Sequence, residues 1–247
     1  YLLALICAAI FFGYGDLLNF FKFLTYTQNI IKDNAIPNFF NVAWSLSVEE
    51  WFYIFLPITI LIFARSKIKF LKINTLSICI IVILFLNLFR IYYNGEFINW
   101  GEDIRRSVLL RLDSLCFGVV AYIMKDKLKL NYLIFIVFCT IIPLFYFLVE
   151  PLTLQTSVFF QNLFIPLCSI CFASTLIILT FIDSPPIIIQ KIGTFGANIS
   201  YSMYLFHIFF IPLTINYFNN LTLSFLTYII SLKVFCWIFY IYYEKPI

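Results

Sequence analysis

The chain has 247 residues, of which 63% are hydrophobic and only 11% are charged. Soluble domains carry about 25% charged residues, so this composition excludes an ordinary soluble domain and a disordered chain. The net charge of +4 comes from Lys and Arg in short loops between apolar runs. That pattern indicates membrane topology and not nucleic-acid binding.

Long unbroken apolar runs exclude a transmembrane barrel, whose strands alternate polar and apolar residues. They predict an all-α, polytopic membrane bundle that forms a single domain over 1–247. At about 20 residues a span, the length suits about eight transmembrane helices. The predicted spans are 1–14, 47–64, 73–92, 107–124, 131–149, 157–182, 198–218 and 222–243.

The segment 15–30 lies between the first two predicted spans. It is shorter than a span and carries Asp16 and Lys22, so we interpret it as an interfacial or re-entrant piece. The Lys and Arg of the loops concentrate on one side of the bundle. This bias predicts a plasma-membrane protein with both ends of the chain in the cytoplasm.

Two adjacent acids, Glu49 and Glu50, open the second predicted span within WSLSVEEWFY. The spacing of Ser47 and Glu50 predicts a capping box at the start of this helix, which gives Glu50 a structural role. Glu49 is not needed for that cap. An acid at the edge of the hydrocarbon calls for another explanation, so Glu49 is the candidate functional residue.

Three further charged residues are predicted at a similar depth: Arg90 in the third span, and Arg111 with Asp113 in the fourth. Arg111 and Asp113 are two positions apart and face different sides of a helix, so at least one needs a partner from another helix. Two readings stay open. One is a buried ion pair such as Glu49 with Arg111, and the other is a polar pocket that opens outward.

The single histidine of the chain, His207, lies in a predicted span. Helical spacing places it on one stripe with Ser200 and Tyr204. A histidine in a bundle serves either as a hydrogen-bonding group between helices or directly in proton transfer.

All seven cysteines lie in or beside apolar runs, which favours small packing residues over disulfides. Cys168 and Cys171 form a Cys-x-x-Cys pair without further ligand residues, so we predict no metal site.

Four segments, in this order along the chain, resemble the acyltransferase 3 family of integral membrane acyltransferases, which includes O-antigen and peptidoglycan O-acetylases. They are WSLSVEEWFY at 44–53, RLDSLCFG at 111–118, ISYSMYLFH at 199–207 and EKP at 244–246. The resemblance implies transfer of an acyl group, usually acetyl, from cytoplasmic acyl-CoA to a sugar hydroxyl of an envelope glycan or lipid-linked sugar. Acyl-CoA is then a co-substrate, with no bound cofactor, and membrane lipids surround the bundle.

With this resemblance, we predict catalytic roles for Glu49, Arg111, Asp113 and His207. A second set is predicted to bind substrate: Trp44, Ser47, Tyr53, Arg90, Ser200, Tyr201 and Tyr204. Acyl transfer to a hydroxyl needs a base for the hydroxyl proton and a positive or N–H site for the developing oxyanion.

Family members have about ten spans, a histidine proposed as catalytic in the first span and an Arg-x-x-Arg motif before the third. The present sequence contains neither feature. We therefore expect a family domain that lacks its first two spans and is incomplete as a catalyst by itself. Two alternatives remain: a transporter or flippase for a lipid-linked sugar, because intramembrane charges also mark substrate paths, and a family remnant without activity.

Overall fold

The computed structural model of the protein describes residues 1–31, 39–65, 74–93, 103–127, 157–181, 185–215 and 220–246. Within these ranges the chain is helical and forms no strand, so the all-α prediction is confirmed. The helices are α1 Leu2–Phe12, α2 Leu17–Leu24, α3 Ala43–Arg65, α4 Thr75–Tyr93, α5 Leu112–Met124, α6 Val158–Leu179, α7 Ile187–Ile215 and α8 Leu221–Phe239. A π-helical turn, Tyr240–Glu244, follows α8.

Five of the described helices, α3, α4, α6, α7 and α8 with its π-helical turn, are long and apolar enough to cross a membrane. The predicted count of eight is therefore not confirmed, and the predicted span at 131–149 lies outside the described residues. α1 and α5 are apolar but shorter. α1 has 11 residues and extends for about 16 Å, about half the hydrocarbon thickness.

Both short helices stop before the limits predicted from hydropathy, for local reasons. α1 ends at Gly13, whose φ of 75° is outside the helical region. α5 begins at Leu112 and not at 107, because Arg111 has a φ of −123°, outside the helical region. Before it, the backbone N–H groups of Val108 and Leu109 donate to the carbonyls of Asn29 and Ile30.

The capping box predicted at Ser47 and Glu50 is wrong, because α3 begins at Ala43. Ser47 lies in the second turn of the helix and is fully buried, where its hydroxyl accepts a hydrogen bond of 2.6 Å from Gln28. Glu50 is exposed. The local spacing was compatible with a cap, but a residue 19 positions earlier uses the hydroxyl.

The chain divides into two compact units. The first contains Tyr1–Thr25, Ile36–Ala43 and Ser184–Ile247. In it α7 packs along α8, and the ring of Phe206 meets Phe235 and Phe239 edge-on at 5.1 and 5.2 Å.

The second unit contains Tyr26–Ala35 and Trp44–Asp183. In it α5 packs between α4 and α6. Its main apolar core draws on α3, α4, the segment before α5, and α5 itself: Val48, Phe52, Cys79, Leu86, Val108, Leu112 and Cys116. The predicted single domain stays a prediction.

The segment 15–30 holds one helix of eight residues, too short to cross the hydrocarbon. Asp16 caps this helix by accepting a bond of 2.6 Å from the backbone N–H of Asn19. The chain then turns at Tyr26, whose φ is 56°. The interfacial or re-entrant placement of the segment stays a prediction.

Candidate functional site

A buried ion pair joins α4 to the first turn of α5. Nη2 of Arg90 lies 2.6 Å from Oδ2 of Asp113, Nη1 donates to Oδ1 at 3.0 Å, and both side chains are 0% exposed. Nη2 also donates to the side-chain oxygen of Asn87 at 2.9 Å. The sequence was compatible with a buried ion pair such as Glu49 with Arg111. The structure has a buried ion pair, but its members are Arg90 and Asp113, and Glu49 is exposed.

The same arginine positions the turn that precedes α5. Nη1 of Arg90 donates to the backbone carbonyl of Leu110, so one side chain holds both Leu110 and Asp113 against α4. Arg111 lies between these two anchored residues and is half-buried. Among the described residues its guanidinium makes no hydrogen bond, and its charged neighbours include Asp113, Arg90 and Arg105.

An open apolar cavity of about 510 Å³ lies between α4 and α6 and borders the ion pair. Asn87, which contacts both charged partners, forms part of its wall. The remaining wall residues are Ile91, Phe159, Asn162, Leu163 and Pro166.

The residues 26–30, here called the strap, connect the start of α3 to the segment before α5. Nδ2 of the buried Asn29 donates to the carbonyl of Trp44 at 3.0 Å and to the carbonyl of Arg106. The indole N–H of Trp51 donates to the carbonyl of Tyr26 at 2.9 Å. Because Asn29 and Arg106 are 77 positions apart, this connection exists only in the folded chain.

Replacing Asn29 by alanine should lower the free energy of unfolding by about 1–3 kcal/mol, because two buried carbonyls lose their donor. Denaturant unfolding in detergent measures the change. The control is Gln190→Ala, which removes an exposed amide that donates to Pro185 and should change little. Equal stability of the two variants would contradict the bridging role of Asn29.

Arg105 lies over the indole of Trp44, with Cζ 5.5 Å from the ring centroid. Burial, and secondarily the charge of Arg106, lower the pKa of the Arg105 guanidinium. The strap determines this stacking, since Asn29 binds the backbones of both Trp44 and Arg106.

The carboxylate of Glu49 is exposed and accepts a hydrogen bond of 2.7 Å from the hydroxyl of Tyr53, one turn further along α3. Glu49 makes no other hydrogen bond with the described residues. The neighbouring Glu50 is also exposed, so the two acids differ in partner and not in burial.

In the first unit, His207 is half-buried and its Nδ1 lies 2.7 Å from the carbonyl oxygen of Tyr204. A carbonyl only accepts hydrogen bonds, so this contact assigns the proton to Nδ1. In the neutral ring Nε2 is then the basic nitrogen, and it has no hydrogen bond with the described residues.

The polar stripe predicted on α7 is only partly formed. Tyr204 and His207 come together, with ring centroids 5.9 Å apart, and the Tyr204 hydroxyl donates to the carbonyl of Val42 at 2.7 Å. Ser200 is exposed and donates to a carbonyl of its own helix, and Tyr201 is 46% exposed.

A buried hydroxyl on another face of α7, Ser202, donates to Glu244 in the final turn. The predicted closing segment EKP is thereby connected to the histidine helix, a link that spacing alone did not reveal.

Sequence reasoning missed Gln28, Asn29, Asn87 and Arg105. The first two belong to the polar run YTQN, which was read only as a membrane-surface piece. Arg105 was counted as a topology signal. The one sequence signal for the strap was the run of polar residues at 25–29 within an otherwise apolar chain.

Within the described residues no group of three or more His, Cys, Asp or Glu is placed to hold a metal ion. The buried thiols of Cys79 and Cys116 hydrogen-bond to each other across α4 and α5. Cys168 and Cys171 form no disulfide and are half-buried.

A family model described as an acyltransferase domain, that of acyltransferase 3, matches residues 1–243. The chain belongs to the acyltransferase 3 family. Searches of curated proteins and of solved structures give no match. As an acyltransferase 3 protein with several apolar helices, the chain is a multi-pass membrane acyltransferase.

Proposed function

We propose that this acyltransferase moves an acyl group, in the first instance acetyl, from acyl-CoA to a hydroxyl of an envelope glycan or a lipid-linked sugar. The family match over 1–243 is the observation that carries the proposal. The bundle then resides in the inner membrane of a bacterium, among membrane lipids, with both ends of the chain in the cytoplasm.

In the reaction the acceptor oxygen attacks the thioester carbonyl, a C–O bond forms, and the C–S bond breaks to release CoA. The hydroxyl proton needs an acceptor. The single histidine of the sequence, His207, is proposed for this role in place of the first-span family histidine, which the sequence does not contain. The bond from Nδ1 to Tyr204 leaves Nε2 as the base. Transfer that depends on His207 would contradict the expectation that the chain is incomplete as a catalyst. A positioned base contributes about 10²- to 10⁴-fold to the rate.

Glu49 is proposed to orient the acceptor hydroxyl. Its exposed carboxylate is bound on one side by Tyr53, and a carboxylate can accept further hydrogen bonds. Arg111 is proposed to supply a positive charge in the second unit, since its guanidinium has no hydrogen-bonded partner among the described residues.

Four predicted site residues act through others in this proposal. Asp113 and Arg90 are fully buried and occupied with each other, so they position the turn that carries Arg111. Ser47 holds the strap through Gln28. Trp44 supports Arg105, while Ser200, Tyr201 and Tyr204 remain proposed contacts for substrate on α7.

Replacing Glu49 by glutamine should lower acetyl transfer by about tenfold or more, because a hydrogen bond to a charged group strengthens an orienting contact. The measurement is incorporation of labelled acetyl groups from acetyl-CoA into the envelope polysaccharide of bacterial cells that make the protein. Glu50→Gln is the matched control, since it is the adjacent exposed acid, and should stay within about twofold of wild type. Equal losses in both variants at equal protein levels would refute the special role of Glu49.

A further inference from the structure

Two guanidinium groups of the second unit, those of Arg105 and Arg111, make no hydrogen bond with the described residues. They are electrostatic neighbours and repel each other. The acid nearest to Arg111 in sequence, Asp113, is already bound by Arg90 at 2.6 Å. The local pairing therefore leaves two positive charges on neighbouring, partly buried side chains.

Among the described residues, the acids near this pair are already engaged. Asp113, the acid that attracts Arg111, is bound by Arg90. Asp103 is buried at 1% exposure and has interactions of its own. A partly buried cation whose nearest described acid is bound elsewhere is costly in a low-dielectric setting, and two such cations favour an anionic ligand.

Both arginines are held in place by the fold. Arg105 lies over the indole of Trp44, a cation–π contact that restrains the guanidinium and uses none of its N–H donors. Arg111 follows Leu110, whose carbonyl is bound by the buried Arg90. The ion pair and the strap therefore both restrain the backbone that carries Arg105 and Arg111.

We propose that Arg105 and Arg111 bind a phosphate group of a substrate. The two positive charges of Arg105 and Arg111 balance the two negative charges of a phosphate group better than the single charge of a carboxylate. Each planar guanidinium can also donate hydrogen bonds to two phosphate oxygens. The inference rests on the proposed function, in which two substrates carry such groups. The phosphates of CoA belong to the donor, and a diphosphate links the sugar to its lipid in the acceptor.

The test uses the full chain, purified in a maltoside detergent that carries no phosphate. Binding is measured for two probe pairs: CoA against pantetheine, and farnesyl diphosphate against farnesol. At least one phosphate-bearing probe should bind about tenfold or more tightly than its phosphate-free counterpart, and this preference should weaken as salt is raised. A preference for CoA assigns the site to the donor, and one for farnesyl diphosphate assigns it to the acceptor.

Arg105→Gln and Arg111→Gln should each remove most of this preference. Lys125→Gln is the matched control, because Lys125 also rests on an aromatic ring, that of Tyr122 at 4.7 Å, and should leave the preference intact. Arg105→Lys and Arg111→Lys retain the charge and the fold but lose the planar guanidinium with its paired donors. Each should therefore reduce the preference for the phosphate-bearing probe less than the glutamine variant does.

Equal affinity for both members of each probe pair, or a preference unchanged in all four arginine variants, overturns the phosphate site. If the protein transfers acetyl groups but shows no phosphate-dependent binding, the phosphate site is rejected and the proposed function stands. If Arg105 and Arg111 support phosphate-dependent binding but the protein transfers no acetyl group, the proposed function is rejected and the phosphate site stands.

Discussion

Replacing Arg90 by leucine should lower the free energy of unfolding by about 3–5 kcal/mol, because it leaves Asp113 buried without its partner. Both side chains are 0% exposed, so water cannot replace the lost bonds. The loss should appear as a lower denaturation midpoint in detergent and as less folded protein in membranes.

The double variant Arg90→Leu with Asp113→Leu tests the cause. It removes both buried charges, so it should recover most of the stability lost in the single variant. Arg111→Leu is the control, since Arg111 makes no hydrogen bond with the described residues and its loss should cost far less. A double variant as unstable as Arg90→Leu alone would mean that packing, and not the unpaired charge, dominates the effect.

Replacing His207 by asparagine should lower acetyl transfer by about 10²- to 10⁴-fold while the protein stays folded. The asparagine amide can still donate to the carbonyl of Tyr204, as Nδ1 does at 2.7 Å, but it has no group in place of the basic Nε2. The measurement is the rate of transfer at saturating acetyl-CoA, with folded protein quantified by size-exclusion chromatography.

A His207→Asn protein that retains wild-type activity would exclude His207 as the base. Thr194→Ala, an exposed change on the same helix, controls for general effects on α7.

The membrane helices illustrate what local sequence determines well. Long apolar runs must form internal backbone hydrogen bonds in lipid, so composition alone predicts helices. α3, α4, α6 and α8 lie close to the predicted positions, and α7 extends further towards its start than expected. Their ends are less predictable, because Gly13 and the bonds to Asn29 interrupt apolar runs in which hydropathy shows no break.

The motifs were likewise readable from the chain, and the family they indicate is confirmed over 1–243. The sequence did not reveal which partners the charged residues of these motifs bind. Spacing suggested that Ser47 bonds to Glu50, and similar depth made Glu49 with Arg111 one possible ion pair. In the folded chain Ser47 binds Gln28, and Asp113 binds Arg90.

The sequence by itself determined the class of protein and the positions of most apolar helices, because each follows from composition or from neighbours within a few positions. Only the tertiary structure decided which polar and charged residues meet. Arg90 binds Asp113, 23 positions away, and Asn29 binds the carbonyl of Arg106, 77 positions away. Such contacts depend on which helices and segments pack together, and no local pattern in the sequence records that.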